Sequence, residues 1–430
     1  MSAPLALSLY RAATLAATPF AGALLSLRLN RGKEDPDRVD ERRGLTDLAR
    51  PEGPLVWLHG ASVGETLSLL PLIERLTQGG LNALVTSGTL TSARLMASRL
   101  PPRALHQFVP LDAPAFFRRF FAHWRPDLGL IAESEIWPNM IVEAARAEAS
   151  LAMVNARMSE RSFRRWERSP GLARALIGRF DLLLAQSAAD AERFLSLGAR
   201  AAPVIGNMKY DAPPPPADHR ELAELSGLVA GRKLWIAAST HAGEERAAAE
   251  AHLKLSRAHP DLLTLIAPRH PERGEDIAEE LAELGLACRL RSRGERPERD
   301  CAVYICDTIG ELGLFYRLAG VVFVGKSLFS GGGQNPIEPA KLASAILHGP
   351  NVGNFADVYA PLDAEGGALA ARNADELAYA LAALFSDAHR LRAMARIAAE
   401  VVERRAGAVD RALAALSAHL AALAPNAALT

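Results

Sequence analysis

From about residue 54 the chain alternates short apolar runs with stretches of helical periodicity. "PLVWLHG" (54–60), "NALVTSG" (82–88), "DLGLIAES" (127–134), "SLAMVNA" (150–156) and "DLLLAQS" (181–187) read as buried strands, and amphipathic segments of helical length lie between most of them. That pattern predicts a parallel sheet with helices on both faces. "DAPPPPADH" (211–219) interrupts it. Four prolines continue neither a helix nor a central strand, so this stretch is a stiff linker. The alternation then restarts with "KLWIAAS", "LLTLIAP", "CAVYICD", "GVVFVGK" and "SAILHG". From about 374 to the end the chain is Ala/Leu/Arg-rich and helical. The expectation is an α/β protein with two Rossmann-like doubly wound domains, 45–210 and 220–390, followed by a helical segment at 391–430.

The N-terminus breaks the soluble pattern. Residues 3–28, "APLALSLYRAATLAATPFAGALLSLR", are almost wholly apolar, with Arg11 inside and Arg28, Arg31 and Lys33 at the end. The uninterrupted part is shorter than the ~20 residues that span a bilayer. No basic region precedes it, as a cleaved signal peptide requires. A core helix would explain the composition alone. A membrane-surface anchor with a basic collar, residues 1–33, explains the flanking charges as well.

Composition narrows the class further. At 430 residues the chain exceeds one ordinary core, and 49% apolar residues can fill two. Formal net charge is zero, so a global footprint for nucleic acid is absent. Cys288, Cys301 and Cys306 are too few for a disulfide framework and read as reduced core residues. No His/Cys cluster has zinc spacing, so no metal is expected. Two doubly wound domains with a cleft between them form the architecture of the GT-B glycosyltransferases, an inference at the level of fold.

In such sheets ligands bind beyond the carboxyl ends of the strands, where the unusual residues of this sequence collect. In "WLHGASVGE" (57–65) a helix begins near Ser62, and Ser62 with Glu65 forms a capping box. Capping alone could explain Glu65. Gly64, however, costs up to ~1 kcal/mol in a first helical turn, which argues for something approaching closely. "AESEIWPNM" (132–140) places Glu133 and Glu135 after a strand, with Pro138 suited to a first helical turn. Such carboxylates are paired, used as caps, or used in chemistry. "IGNMKYD" (205–211) puts Lys209 just before the linker.

The second half carries "ASTHAGEE" (238–245), "APRHPER" (267–273) and "CDTIGELG" (306–313), each after a strand. Arg269 suits bidentate phosphate contact, and Gly310 opens a helix whose amides could face an anion. Each could equally be an ordinary turn; together they form a phosphate-binding pattern. "SLFSGGGQNPIEPAK" (327–341) is the richest stretch. Asn335 reads as an N-cap, Pro336 as the first helical residue and Glu338 as the third. The glycine run then offers free backbone amides to a phosphate, and Glu338 a carboxylate to a ribose.

Eight motifs, in order, resemble those of the 3-deoxy-D-manno-octulosonic acid (Kdo) transferases. They are "LHGASVGE", "ESEIWPN", "NARMSERSFRRW", "GNMKYD", "STHAGEE", "PRHPER", "DTIGELG" and "GGGQNPIEPA". The resemblance covers essentially the whole chain. It implies an inverting, metal-independent GT-B enzyme on the cytoplasmic face of the inner membrane. Its donor would be CMP-Kdo and its acceptor a lipid A precursor (lipid IVA) of lipopolysaccharide synthesis. By resemblance Glu65 is the general base, and Glu135 and Lys209 support the transition state. Pro268, Arg269, Ile309, Gly310, Glu311, Asn335, Pro336, Ile337 and Glu338 bind CMP. Gln334 stands where many relatives carry His. The only Asp-x-Asp pattern, Asp35 and Asp37, lies in the polar segment after the anchor, away from any strand end. Another GT-B nucleotide-sugar enzyme, a UDP-sugar transferase or epimerase, is the alternative. Seven arginines against two glutamates in 155–179 mark a candidate surface for acceptor phosphate or membrane.

Overall fold

The computed structural model describes residues 4–329 and 331–423. The chain forms two compact units, one of residues 1–212 and 406–430 and one of 213–405.

The first unit is built on a six-stranded parallel sheet. Its strands are β1 (Leu55–His59), β2 (Asn82–Ser87), β3 (Ala104–Phe108), β4 (Leu128–Ala132), β5 (Ser150–Ala156) and β6 (Leu182–Ala185), in the order β3-β2-β1-β4-β5-β6. Side-chain alternation divides each strand between two cores. Leu55 and Trp57 of β1 join a cluster with Phe117, Phe120 and Trp124. Val56 and Leu58 face the opposite way, into Leu69, Leu72 and Ile73 of the helix Val63–Gln78. The helix Ala408–Leu423 closes that second face with Val409, Leu413, Leu416 and Leu420. Asp211 accepts from the amides of Gly407 (2.5 Å) and Val409 (2.6 Å), so a residue expected in the linker anchors this helix.

The N-terminal segment is helical from Leu5 to Asn30, with one 3-10 turn at Thr18–Phe20. Arg11 does not interrupt it. It runs 26 residues, long and apolar enough by length and composition to cross a membrane, and little of it is buried. Leu7, Ala21 and Leu25 are buried, whereas Leu5, Leu9, Leu15, Phe20, Leu24 and Leu27 are exposed. Arg11 donates to Asn139 Oδ1 (3.3 Å) and pairs with buried Glu143. Tyr10 Oη donates to Asp112 Oδ2 at 2.9 Å. Asp35 and Asp37 serve local structure: the Asp35 carboxylate caps the 3-10 helix Pro36–Arg43 through the Asp37 amide.

The second unit holds a seven-stranded parallel sheet. Its strands are β7 (Leu234–Thr240), β8 (Leu263–Pro268), β9 (Cys288–Leu290), β10 (Val303–Ile305), β11 (Val321–Val324), β12 (Ala345–His348) and β13 (Ala368–Ala370), in the order β13-β12-β11-β7-β8-β10-β9. Trp235, Ala237, Val303, Ile305, Val321 and Phe323 share one core with the helices Glu244–Leu255 and Ala374–Ser386. The proline run lies against the helix Leu312–Leu318. Arg317 Nη1 donates to Pro215 O (2.7 Å), and a Cβ on Gly313 would fall 2.2 Å from Pro216 O. The boundary expected at 391 falls inside a helix, Ala388–Glu403, which belongs wholly to this unit.

Three strands escaped the hydrophobic reading: β3, β9 and β13. Each is an edge of its sheet. An edge strand pairs on one side only, and these three keep half-buried or exposed positions, so no continuous apolar run marks them.

Candidate active site

In the first sheet the chain reverses its winding between β1 and β4, which pair directly. Loops leaving the carboxyl ends of two such strands open a crevice at the switch point. Here they carry the acids. Ser62 caps the helix Val63–Gln78, its Oγ accepting from the Glu65 amide at 3.4 Å. The Glu65 carboxylate folds back to accept from Ala61 N (2.6 Å) and Ser62 Oγ (2.8 Å). Glu65 is thus a cap, but one that reaches the residue before Ser62. A Cβ on Gly60 would press on Thr66 N at 3.0 Å, so the chain's own packing favours glycine there. Gly64 is different: a Cβ there meets nothing within 4 Å.

Glu133 and Glu135 follow β4. Glu133 sits at φ 52°, a left-handed conformation that side chains seldom adopt and that often marks a functional turn. Its amide and carbonyl bond to Val154 O (3.0 Å) and Arg157 N (3.2 Å), which hold the turn against β5. Its carboxylate pairs with Lys209 Nζ at 2.6 Å. Lys209 lies in the short turn Met208–Tyr210, whose Met208 amide donates to Asn155 Oδ1 at 2.9 Å. Glu135 accepts from Trp137 Nε1 at 2.6 Å.

Three carboxylates therefore share this crevice with the ammonium of Lys209. Burial, chiefly, pushes the Glu135 carboxyl up to about 7, and the neighbouring Glu65 charge adds to the shift. Burial also raises Glu65 above the ordinary carboxylate range, and the Glu133 charge reinforces it against the hydrogen bond from Ser62. A group that sits near neutrality and holds two ionisation states close in energy is suited to proton transfer.

The second sheet reverses its winding between β7 and β11. Glu244, at the start of the helix after β7, is nearly inaccessible. Its carboxylate accepts from the amides of His241 (2.9 Å), Lys326 (2.7 Å), Ser327 (2.9 Å) and Leu328 (2.9 Å), which lock the β7 loop to the β11 loop. Buried Glu245 pairs with Arg273 of "PRHPER" at 2.7 Å and accepts from Thr240 Oγ1 at 2.9 Å.

The expected nucleotide residues lie on loops after β8, β10 and β11. Pro268 ends β8 buried, and Arg269 follows it exposed, its amide bonded to Thr240 O at 3.0 Å. Ile309 is 80% exposed and Gly310 turns at φ 91°. Glu311 is held by Arg291 through two hydrogen bonds, 2.7 and 3.0 Å, and sits below the ordinary carboxylate range for that reason first. Strands β11, β7, β8 and β10 are consecutive in the sheet, so these loops line a row roughly 14 Å long at ~4.8 Å per strand.

Two expectations about "GGGQNPIEPA" need correction. The helix there is only five residues, Ile337–Lys341, and starts one residue late. Pro336 is its N-cap and Ile337 its first residue, while Asn335 Oδ1 accepts from Ile337 N at 3.0 Å. Asn335 Nδ2 lies 3.4 Å from Glu338 Oε1. The glycines also have an internal reason. All three have left-handed φ, and a Cβ on Gly331 or Gly332 would collide at 2.8 Å with the side chain of Lys326 or Asn354. The amides of Gly333 and Gln334 are taken by Lys326 O (2.7 Å) and Gly325 O (3.1 Å) and are not free for a phosphate. Gln334 Nε2 lies 3.4 Å from His241 Nε2, so the amide meets an imidazole of the neighbouring loop.

The structure thus brings Glu65, Glu135 and Lys209 together in the first unit, and gathers the nucleotide candidates along one sheet edge in the second. Sequence reasoning missed Glu133 as the partner of Lys209, Arg291 as the partner of Glu311, and the four-amide role of Glu244. The doubled acid of "AGEE" was the only local signal for the last.

Two parallel doubly wound sheets, each presenting polar loops at its switch point, define the GT-B fold. A solved glycosyltransferase from Rickettsia africae shares the fold, with a TM-score of 0.60 and 13% identity over 86% of this chain and 99% of that one. The chain belongs to the 3-deoxy-D-manno-octulosonic acid (Kdo) transferase family. The family match, described as 3-deoxy-D-manno-octulosonic-acid transferase (kdotransferase), spans residues 37–212. A 3-deoxy-D-manno-octulosonic acid transferase of Rickettsia bellii is 34% identical over 79% of this chain and 81% of its own. One of Bordetella pertussis is 37% identical over 86% and 89%.

Proposed function

We propose that this Kdo transferase moves Kdo from CMP-Kdo to a lipid A precursor, lipid IVA, with inversion and without a metal. The carboxylate arrangement around Glu65 carries the reading. The Glu65 carboxylate is held by one amide and one hydroxyl, and burial makes it a stronger base than an exposed glutamate. It takes the proton of the acceptor hydroxyl as that oxygen bonds to the anomeric carbon of Kdo. The bond from that carbon to the CMP phosphate oxygen breaks on the opposite face, its electron pair leaving with CMP. Lys209 and Glu135 support the charge that shifts during transfer. On the donor side, Pro268, Arg269 and Ile309–Glu311 contact the phosphate and base, and Asn335–Glu338 the ribose.

The membrane half of the proposal rests on the N-terminal helix. Its exposed leucines suit a lipid surface. Arg11 and Tyr10 tie it to Glu143, Asn139 and Asp112, contacts that a helix crossing the bilayer would forfeit. In this reading it lies along the membrane surface, the cytoplasmic face of the inner membrane, rather than crossing it. Arg161, Arg164 and Arg165, exposed on the helix Glu160–Glu167, face the same phosphate-rich surface in this reading. Reversing the three charges weakens vesicle binding or raises acceptor KM; if both are unchanged, that surface plays no part.

CMP release tests the function. The purified protein, given CMP-Kdo and a tetra-acylated lipid A precursor, releases CMP only when both are present, and EDTA leaves the rate unchanged. CMP raises its melting temperature and UDP does not. Silence toward CMP-Kdo with protection by UDP would move the enzyme to a UDP-sugar substrate.

A further inference from the structure

Lys326 follows β11 at the switch point of the second sheet, in a left-handed conformation with φ 57°. Glycine adopts that backbone freely, whereas a larger side chain is strained there. Ser239, at the same end of the neighbouring β7, shares the strain at φ 55°. Strained residues of this kind cluster where a side chain serves a ligand. A Cβ on Gly331 would fall 2.8 Å from both Cγ and Cε of Lys326, so the lysine stem lies against that glycine. Among the described residues the Lys326 ammonium has no hydrogen-bond or ion-pair partner, and neither has the exposed guanidinium of Arg269.

Both charges are felt at His241. Burial, chiefly, lowers that imidazole below its ordinary range, and of the charges acting on it Lys326 is the strongest. His270 and Arg269 act in the same direction. Glu244 opposes them, but its carboxylate is held by four backbone amides. The rings of His241 and His270 lie 5.8 Å apart, edge to face, and Glu272 Oε1 is 3.4 Å from His270 Nδ1. Lys326 and Arg269 therefore approach His241 from the loops after β11 and β8, the two strands that flank β7. His241 stays neutral under these charges and adds no third cation.

Kdo is a sugar acid. In a CMP-Kdo donor its carboxylate and the oxygen of the leaving phosphate share the anomeric carbon, so two anions arrive side by side. We propose that Lys326 is a specificity-determining residue that takes the carboxylate of Kdo, beside an Arg269 that takes the phosphate. The planar guanidinium suits the phosphate oxygens, and the ammonium acts as a point charge with three donors for the carboxylate. A neutral sugar would leave that ammonium without its anion. The inference rests on the donor proposed above and adds the residue that distinguishes a sugar acid from a neutral sugar.

Lys326→Gly tests it, because glycine removes the charge and suits the left-handed backbone. The urea midpoint of the full-length variant stays level or rises, which excludes misfolding. KM for CMP-Kdo rises on the order of tenfold, while the Kd of CMP, which lacks the carboxylate, keeps its wild-type value. Lys326→Arg recovers most of the loss. A CMP Kd that rises in step gives Lys326 to the phosphate, and an unchanged KM leaves it to solvent; either result overturns the proposal. Saturation-transfer NMR with free Kdo and its neutral methyl ester needs no turnover. The wild type prefers Kdo to the ester, and Lys326→Gly loses the preference. Equal signals from the two in the wild type, or none, overturn the carboxylate site. A preference that depends on Lys326 in an enzyme that never consumes CMP-Kdo keeps the site and removes the donor assignment.

Discussion

Glu65 and Glu244 occupy corresponding places. Each follows the first strand of its sheet, and each sits in the first turn of the next helix. Their surroundings are opposed. Glu244 accepts from four backbone amides and latches two loops together. Glu65 has one amide and one hydroxyl, and the carboxylates of Glu133 and Glu135 nearby. A carboxylate with many fixed donors stiffens a loop; a buried one short of donors is ready to take a proton. The second unit therefore spends its acids on rigidity, with Glu245 on Arg273 and Glu311 on Arg291. The first keeps acids under electrostatic tension, the condition expected where chemistry costs stability.

Substitution can break this contrast. The largest effect expected is on turnover. Glu65→Gln keeps the cap bonds but not the base, so kcat falls about 10²–10⁴-fold, roughly 3–5 kcal/mol, while CMP binding is retained. Wild-type turnover in that variant would make Glu65 a cap like any other. Glu244→Ala leaves buried amides without their acceptor and lowers the stability of the second unit by about 2–4 kcal/mol in urea unfolding. An unchanged midpoint would show that the latch is dispensable.

Glu135→Gln sharpens the contrast through pH. The folded carboxyl titrates near 7 against an ordinary 4.5, so its contribution to stability is complete below about 4.5 and is lost as pH rises through 7. The neutral variant avoids that loss. It gains on the order of 1–2 kcal/mol over wild type at pH 8 and almost nothing at pH 4, read from melting temperatures across the range. A pH-independent difference would place Glu135 in a solvated setting. The smallest effect belongs to Gly64→Ala. The new Cβ touches nothing in the protein, so helix propensity raises stability by about 0.5–1 kcal/mol. Acceptor KM should rise in the same variant if substrate uses that open space; an unchanged KM places the acceptor elsewhere.

Much of the fold was legible because buried parallel strands are written as continuous apolar runs. "PLVWLHG" and "GVVFVGK" became β1 and β11 for that reason. The edge strands were not legible, since half-buried positions leave no run. Caps at Ser62 and the helix start at Trp137–Pro138 were legible, being contacts within a few residues. The glycine run was legible only in part: left-handed backbone is a local demand, but the side chains of Lys326 and Asn354 that crowd Gly331 and Gly332 come from outside the run.

By itself, the sequence determined two doubly wound sheets, the apolar N-terminal helix, the capping residues and the family, all of which depend on local pattern or on the order of motifs. Tertiary structure decided which loops meet. Strand order sets β4 beside β1 and β11 beside β7, so Glu133 and Glu135 come to Glu65, and Ser327 comes to Glu244 from 83 residues away. Burial of the first meeting point then raises Glu65 and Glu135, while hydrogen bonds at the second fix Glu244 between two loops. Neither effect is encoded at any one residue, because desolvation and hydrogen bonding are properties of the assembled crevice.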